Sequence, residues 1–186
     1  MNRERFRPTT AFLDRDGTLT RDTGYVGNPD DVLLLPGAGE AIRRLNDAAV
    51  PVVIVTNQSG IGRGYFDVSA FQAVQARLES LLADQGARID GTFHCPHAPG
   101  DGCECRKPGL ALYTLAAEKL GVETRDGLYA GYRSRDVLPA LSLGGLGMLV
   151  AGEGGEYDGP EISGVIRVPD LLTGIKGLRL VPEDDP

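Results

Sequence analysis

Two carboxylates two residues apart, Asp14 and Asp16, stand directly after the apolar run Ala11-Phe12-Leu13 and before Gly17-Thr18. The run reads as a buried strand, and open α/β sheets place their ligands in the crevice beyond the carboxyl ends of the strands. Two acids aimed into one crevice repel each other, so at neutral pH they require a cation, a shared proton or both. That suits metal-assisted phosphoryl transfer, with one carboxylate attacking phosphorus and the other handling the proton. A solvated Asp-Gly turn is the plain alternative for this stretch taken alone.

Three more stretches carry chemistry. Thr56-Asn57-Gln58-Ser59-Gly60 follows the β-branched run Val52-Val53-Ile54-Val55. A hydroxyl and amides at a strand end, before a glycine-rich turn, can donate hydrogen bonds to a phosphate. By itself such a turn is usually just a turn, but this one would open into the same crevice as Asp14. Cys95-Pro96-His97 and Cys103-Glu104-Cys105 use every cysteine of the chain. Cys95, His97, Cys103 and Cys105 form a complete tetrahedral set for Zn2+, which leaves no open position and therefore reads as structural. The neighbouring His94 reads as packing or as support for a ligand. Arg106-Lys107-Pro108-Gly109 follows the last cysteine. Two cations tethered by a zinc loop can neutralise phosphate oxygens in a transition state, where an untethered pair would be a solvated basic turn.

These side chains need a scaffold, and the chain is long enough to supply one. Its 186 residues, 41% hydrophobic, fit a single domain spanning 1–186 with a core over about 9–177. A net charge of −7 argues against nucleic acid or an anionic membrane as partner, without excluding a small anionic substrate. No apolar run reaches bilayer length, and the basic start Met1-Asn2-Arg3-Glu4-Arg5-Phe6-Arg7 lacks the apolar segment of a secretory signal. A cytoplasmic, monomeric protein without disulfides is expected.

Apolar runs alternate with amphipathic segments. Strands are expected at 10–14, 52–56, 89–94, 127–131, 147–150 and 164–168. Helices are expected at 37–49, from Asp67 or Ser69 as N-cap through Phe71, Val74, Leu78, Leu81 and Leu82, at 110–120, and at 133–143 with a kink at Pro139. A helical turn at 171–176 and a loose acidic tail at 181–186 close the chain. The glycine-rich stretch 152–159 reads as a surface loop. Strands alternating with helices predict an α/β fold: a Rossmann-like parallel sheet with helices on both faces and right-handed crossovers. The spacings leave no room for a large cap domain, so only loops, including the zinc-stapled loop 95–105, would shape the site.

Asp14-Arg15-Asp16-Gly17-Thr18, Thr56-Asn57-Gln58 and Arg106-Lys107-Pro108, in this order on successive strand ends, resemble the haloacid dehalogenase superfamily of phosphatases. The zinc array resembles the branch of heptose bisphosphate and histidinol-phosphate phosphatases. Gly24-Tyr25-Val26 and the run 55–64 look more like the heptose group. The resemblance covers Phe12 to about Val150. It implies a Mg2+-dependent phosphomonoesterase acting on a small phosphorylated sugar through an aspartyl-phosphate. Asp14 would be the nucleophile, and Asp16 would protonate the leaving oxygen and then activate water. Thr56 and Lys107 would hold the phosphoryl group. Asp22, Tyr25, Asn57, Gln58, Ser59, Arg106 and Arg133 would contact substrate. Mg2+ would bridge Asp14, the main-chain carbonyl of Asp16 and an acid from a fourth motif.

That fourth motif departs from the superfamily pattern. In Gly131-Tyr132-Arg133-Ser134-Arg135-Asp136, tyrosine stands where the superfamily has a metal-binding aspartate. A neutral phenol is a poor ligand for a hard cation. Asp136, one helical turn on, is then the candidate to complete the Mg2+ site, through water in preference to a direct bond. Three readings stay open: an active phosphatase with weakened metal affinity, a phosphosugar-binding relative without turnover, and a deliberately altered sequence.

Overall fold

The computed structural model describes residues 6–180. The acidic tail expected at 181–186 and the first five residues of the basic start lie outside the described residues. Six parallel strands form one sheet: β1 (Ala11–Leu13), β2 (Val52–Asn57), β3 (Gly91–Cys95), β4 (Leu128–Gly131), β5 (Leu146–Val150) and β6 (Val165–Val168), in the order β3-β2-β1-β4-β5-β6. The chain runs outward from β1 to β3, then returns to the other side of β1 for β4. The strand order therefore reverses beside β1, and a crevice opens at the carboxyl ends of β1, β2 and β4.

Side-chain alternation sends each strand's residues to two cores. Ala11, Leu13, Val52, Ile54, Leu128, Ala130, Met148 and Val150 pack with Ile42 and Leu45 of α1 (Ala38–Asp47), with Val74, Leu78 and Leu82 of α3 (Val68–Ala83) and with Ile175 of α7 (Leu171–Lys176). On the opposite face Phe12, Val53, Val55 and Tyr129 pack with Leu112, Tyr113 and Ala116 of α4 (Ala111–Leu120) and with Ala140 of α6 (Pro139–Leu143). Strands buried on both faces account for the unbroken apolar runs in the sequence. Each fully buried aliphatic side chain contributes about 1.5–3 kcal/mol. Among the described residues no helix is long and apolar enough to cross a membrane.

The elements differ from the sequence reading in several places. The segment expected as one kinked helix over 133–143 is two, α5 (Ser134–Val137) and α6, because Pro139 supplies no N–H and starts a helix of its own. The third strand, expected at 89–94, runs over Gly91–Cys95, so the first residue of the expected zinc loop is a fully buried strand end. The short helix α2 (Ser59–Gly62) and a 3-10 turn at Pro29–Asp31 were not foreseen. Of the two N-cap candidates for α3, Asp67 is the one that accepts from the Ala70 amide, at 2.8 Å, while the Ser69 hydroxyl donates to Asp67.

Candidate active site

Asp14 follows β1 and Thr56 lies on β2, where register sets their main chains beside the neighbouring strand ends; the Asp14 amide donates to the Ala130 carbonyl of β4 at 2.9 Å. They line a cavity of about 360 Å³ together with Asp16, Asp22, Tyr25, Asn57, Gln58, Ser59, Arg106, Tyr132, Arg133, Arg135 and Asp136.

Lys107 lies beneath, 3% exposed. Its Nζ donates to Asp14 Oδ1 at 2.7 Å and to the Val55 carbonyl at 2.6 Å, and it pairs with Asp136 Oδ1 at 2.8 Å. Burial works against the ammonium, but the Asp136 and Asp14 charges outweigh it and hold Lys107 above its ordinary pKa. Burial, reinforced by the neighbouring Asp136 charge, pushes the Asp14 carboxyl up while Lys107 pulls it down. Asn57 fixes the lysine's main chain from both sides: the Lys107 amide donates to Asn57 Oδ1 at 3.0 Å, and Asn57 Nδ2 donates to the Lys107 carbonyl at 3.3 Å. Asn57, expected on the substrate, lines the cavity, and its amide also makes this clamp.

Asp16 is held from two directions. Arg15 forks onto it, Nε to Oδ1 and Nη2 to Oδ2, both at 2.9 Å. Gln58 Nε2 donates to Asp16 Oδ2 at 2.7 Å and to Thr56 Oγ1 at 2.9 Å. Asp136, the expected metal ligand, has both oxygens engaged: Oδ1 by Lys107 and Oδ2 by the Arg133 amide at 3.0 Å. The start of α5 thus turns this carboxylate toward the lysine.

The Tyr132 ring lies flat on Gly17, where an added Cβ would come within 2.6 Å of it, and a φ of +79° also reserves that position for glycine. The phenol donates to Asp22 Oδ2, and the Arg133 guanidinium covers the ring at 4.5 Å. Burial, with the Asp22 contact adding to it, raises the Tyr132 hydroxyl to about 12, so it stays neutral at physiological pH. Asp158 reaches back from the glycine-rich loop to accept from the Ser134 amide at 2.7 Å, and it meets Arg133 at 3.5 Å.

The ligand atoms of Cys95, His97, Cys103 and Cys105 lie within 4.8 Å of one another. Cys95 Sγ is 3.6 Å from Cys103 Sγ and 3.1 Å from Cys105 Sγ, and His97 Nδ1 is 3.2 Å from Cys105 Sγ. Sulfurs on a tetrahedral zinc with bonds of about 2.3 Å stand about 3.8 Å apart, so the cluster has the right size for that ion. Burial raises the Cys95 thiol to about 12, which a bound cation would reverse.

Sequence reading missed Arg15 and Asp158. Arg15 had a signal, being the residue between the two acids. Asp158 had none, because it acts across a 24-residue separation.

No protein-family model matches the chain. It is 41% identical over 141 residues to the D-glycero-beta-D-manno-heptose-1,7-bisphosphate 7-phosphatase of Haemophilus ducreyi, covering 72% of this chain and 78% of the relative. The crystal structure of D,D-heptose 1,7-bisphosphate phosphatase from Bordetella bronchiseptica, complexed with magnesium and phosphate, superposes with a TM-score of 0.82 at 35% identity, over 90% of this chain and 96% of that one. The corresponding structure from Burkholderia thailandensis gives 0.67 at 31% identity, over 90% and 96%.

Proposed function

The chain belongs to the D-glycero-D-manno-heptose-1,7-bisphosphate 7-phosphatases of the haloacid dehalogenase superfamily, a family of phosphoric monoester hydrolases, and on that premise we propose that it removes the 7-phosphate of a heptose 1,7-bisphosphate through an aspartyl-phosphate. One observation carries the chemistry: Asp14 sits at the strand end with Lys107 on one oxygen, and Asp16 lines the same cavity.

Asp14 attacks phosphorus with its carboxylate oxygen. The P–O bond to the sugar breaks, and the leaving alkoxide takes the proton carried by Asp16. Asp16, now ionised, takes a proton from water, and the oxygen of that water attacks phosphorus and frees Asp14 and inorganic phosphate. Lys107 offsets part of the burial and of the Asp136 charge that together push the Asp14 carboxyl up. Thr56 and the turn at Gln58-Ser59-Gly60 face the phosphoryl oxygens, and Arg106, Arg133 and Arg135 face the rest of the anion.

The donors present fit a magnesium ion with a reduced protein ligand set. Asp136, Asp16 and Asp22 have both carboxylate oxygens engaged by the protein, whereas Lys107 takes only Oδ1 of Asp14. Asp14 Oδ2 and the Asp16 carbonyl would hold the ion, with waters and substrate phosphate completing its shell. When bound, it would supply positive charge that favours ionised Asp14 and neutralises phosphate oxygens.

The test is phosphate release from both heptose 1,7-bisphosphate anomers and from histidinol phosphate, with Mg2+, for the wild type and Asp14→Asn. Loss of only the 7-phosphate, abolished in the variant, is expected. Preferential turnover of histidinol phosphate would overturn the substrate, and binding without turnover would overturn the enzymatic reading.

A further inference from the structure

We propose that Arg15 is a positioning residue: its guanidinium fixes the Asp16 carboxylate in the orientation from which it passes a proton to the leaving oxygen. The inference rests on the phosphatase function proposed for this site and deepens it.

Arg15 is 1% exposed, an unusual place for a guanidinium. Its neighbours are mixed: Val26, Val32, Val74 and Leu78 lie around it together with Thr20, Arg21 and Asp31, and its charge is 5.4 Å from the centre of the Phe71 ring. A buried ion pair is weak evidence for stability, because desolvation offsets much of the attraction, and a well-packed apolar side chain often serves as well. Arg15 Nη1 has no hydrogen-bond partner among the described residues, so the fork onto Asp16 comes from Nε and Nη2. What the guanidinium does achieve is geometric. The two parallel hydrogen bonds of the fork, both 2.9 Å, fix the plane of the Asp16 carboxylate, which a single donor cannot do. Gln58 adds a third donor at 2.7 Å from the side of Thr56. The main chain is fixed as well, since the Arg15 carbonyl accepts from the amides of Leu19 at 2.9 Å and Thr20 at 3.0 Å. The Asp16 side chain, 19% exposed, lines the cavity. Proton transfer to a leaving group depends on placement at this scale.

The experiment compares two esters in single turnovers, reading release of the leaving group. An alkyl sugar phosphate needs a proton on its leaving oxygen, whereas 4-nitrophenyl phosphate departs as a stabilised phenolate. Arg15→Gln is expected to slow the alkyl ester about 100-fold and the aryl ester by no more than about 3-fold, and Arg15→Lys, which retains charge without the fork, to slow the alkyl ester about 10-fold. Asp16→Asn should show the same split, and adding Arg15→Gln to it should change the alkyl rate no further. Equal losses on both esters, or none, would overturn the positioning role. If Arg15→Gln fails to fold, the same split is read on Arg15→Lys. A wild type that turns over neither ester with Mg2+ would instead overturn the enzymatic reading on which the role depends.

Discussion

The wall that carries Cys95, His97, Cys103 and Cys105 and the wall that carries Asp22, Gly24 and Tyr25 flank the same cavity but are held in different ways. The first begins at the buried end of β3 and gathers four ligand atoms within 4.8 Å, and the chain leaves it directly into Arg106 and Lys107. The second is exposed. It is tied by the Tyr132 phenol on Asp22, by an Arg21–Glu153 pair at 2.7 Å and by an edge-on contact of Tyr25 with Tyr65 at 4.7 Å. The pinned wall leads into Arg106 on the cavity lining and Lys107 on Asp14, where small displacements are costly. Among the described residues no cap domain covers the crevice, so its sides are shaped by these two walls, one pinned and one looser.

Breaking the pinned wall should have the largest effect. Chelation of zinc, or Cys95→Ala, is expected to lower stability by about 3 kcal/mol, a fall in Tm of about 6–12 °C, and to cut kcat at least about 10-fold. Calorimetry and phosphate release on the same samples check this, and an unchanged kcat after metal loss would break the comparison. On the looser wall Tyr132→Asp removes the ring and adds a carboxylate beside Asp14. Titration with Mn2+ should show binding tightened about 10-fold, by about 1.4 kcal/mol.

Tyr132→Phe removes only the phenol contact with Asp22 and should cost about 1 kcal/mol, read in urea unfolding, with KM raised by no more than about 3-fold. Its pH dependence sharpens the assignment. The Tyr132 hydroxyl rises from about 10 to about 12 on folding, so its contribution is complete below pH 10 and is lost as pH rises to 12. Wild type should therefore lose stability relative to Tyr132→Phe across that window and not below it. The smallest effect belongs to Glu153→Ala: its pair with Arg21 is about half exposed on both sides, and a change under about 0.5 kcal/mol is expected.

Features set locally by strand ends could be read from the sequence. Apolar runs announce β1, β2 and β4, and the residues after them fall into the crevice because a parallel sheet aims all its carboxyl ends the same way. The Cys/His cluster was legible for a similar reason, since ligand spacing within 95–105 is itself the geometry. Pairings that bridge separate loops were not legible. Nothing near Asn57 marks it as the clamp on Lys107, 50 residues away. Asp136 looked like a metal ligand on helical spacing, but the N-terminus of α5 and the ammonium of Lys107 claim its two oxygens. Such competition for one carboxylate is decided by tertiary packing.

The burial of Lys107 has a consequence for how the site responds to ionic strength. Its charge lies below the floor of the crevice, surrounded by three oxygens at 2.6 to 2.8 Å, beyond the reach of mobile ions. Arg106, Arg133 and Arg135 line the mouth, where solvent reaches them. At 0.15 M salt the screening length is about 8 Å, and it falls to about 3 Å at 1 M. Added salt therefore weakens the attraction that draws a polyanionic sugar into the crevice while leaving the floor untouched. Capture of the substrate depends on the medium, and the bond-breaking step on the crevice floor is insulated from it.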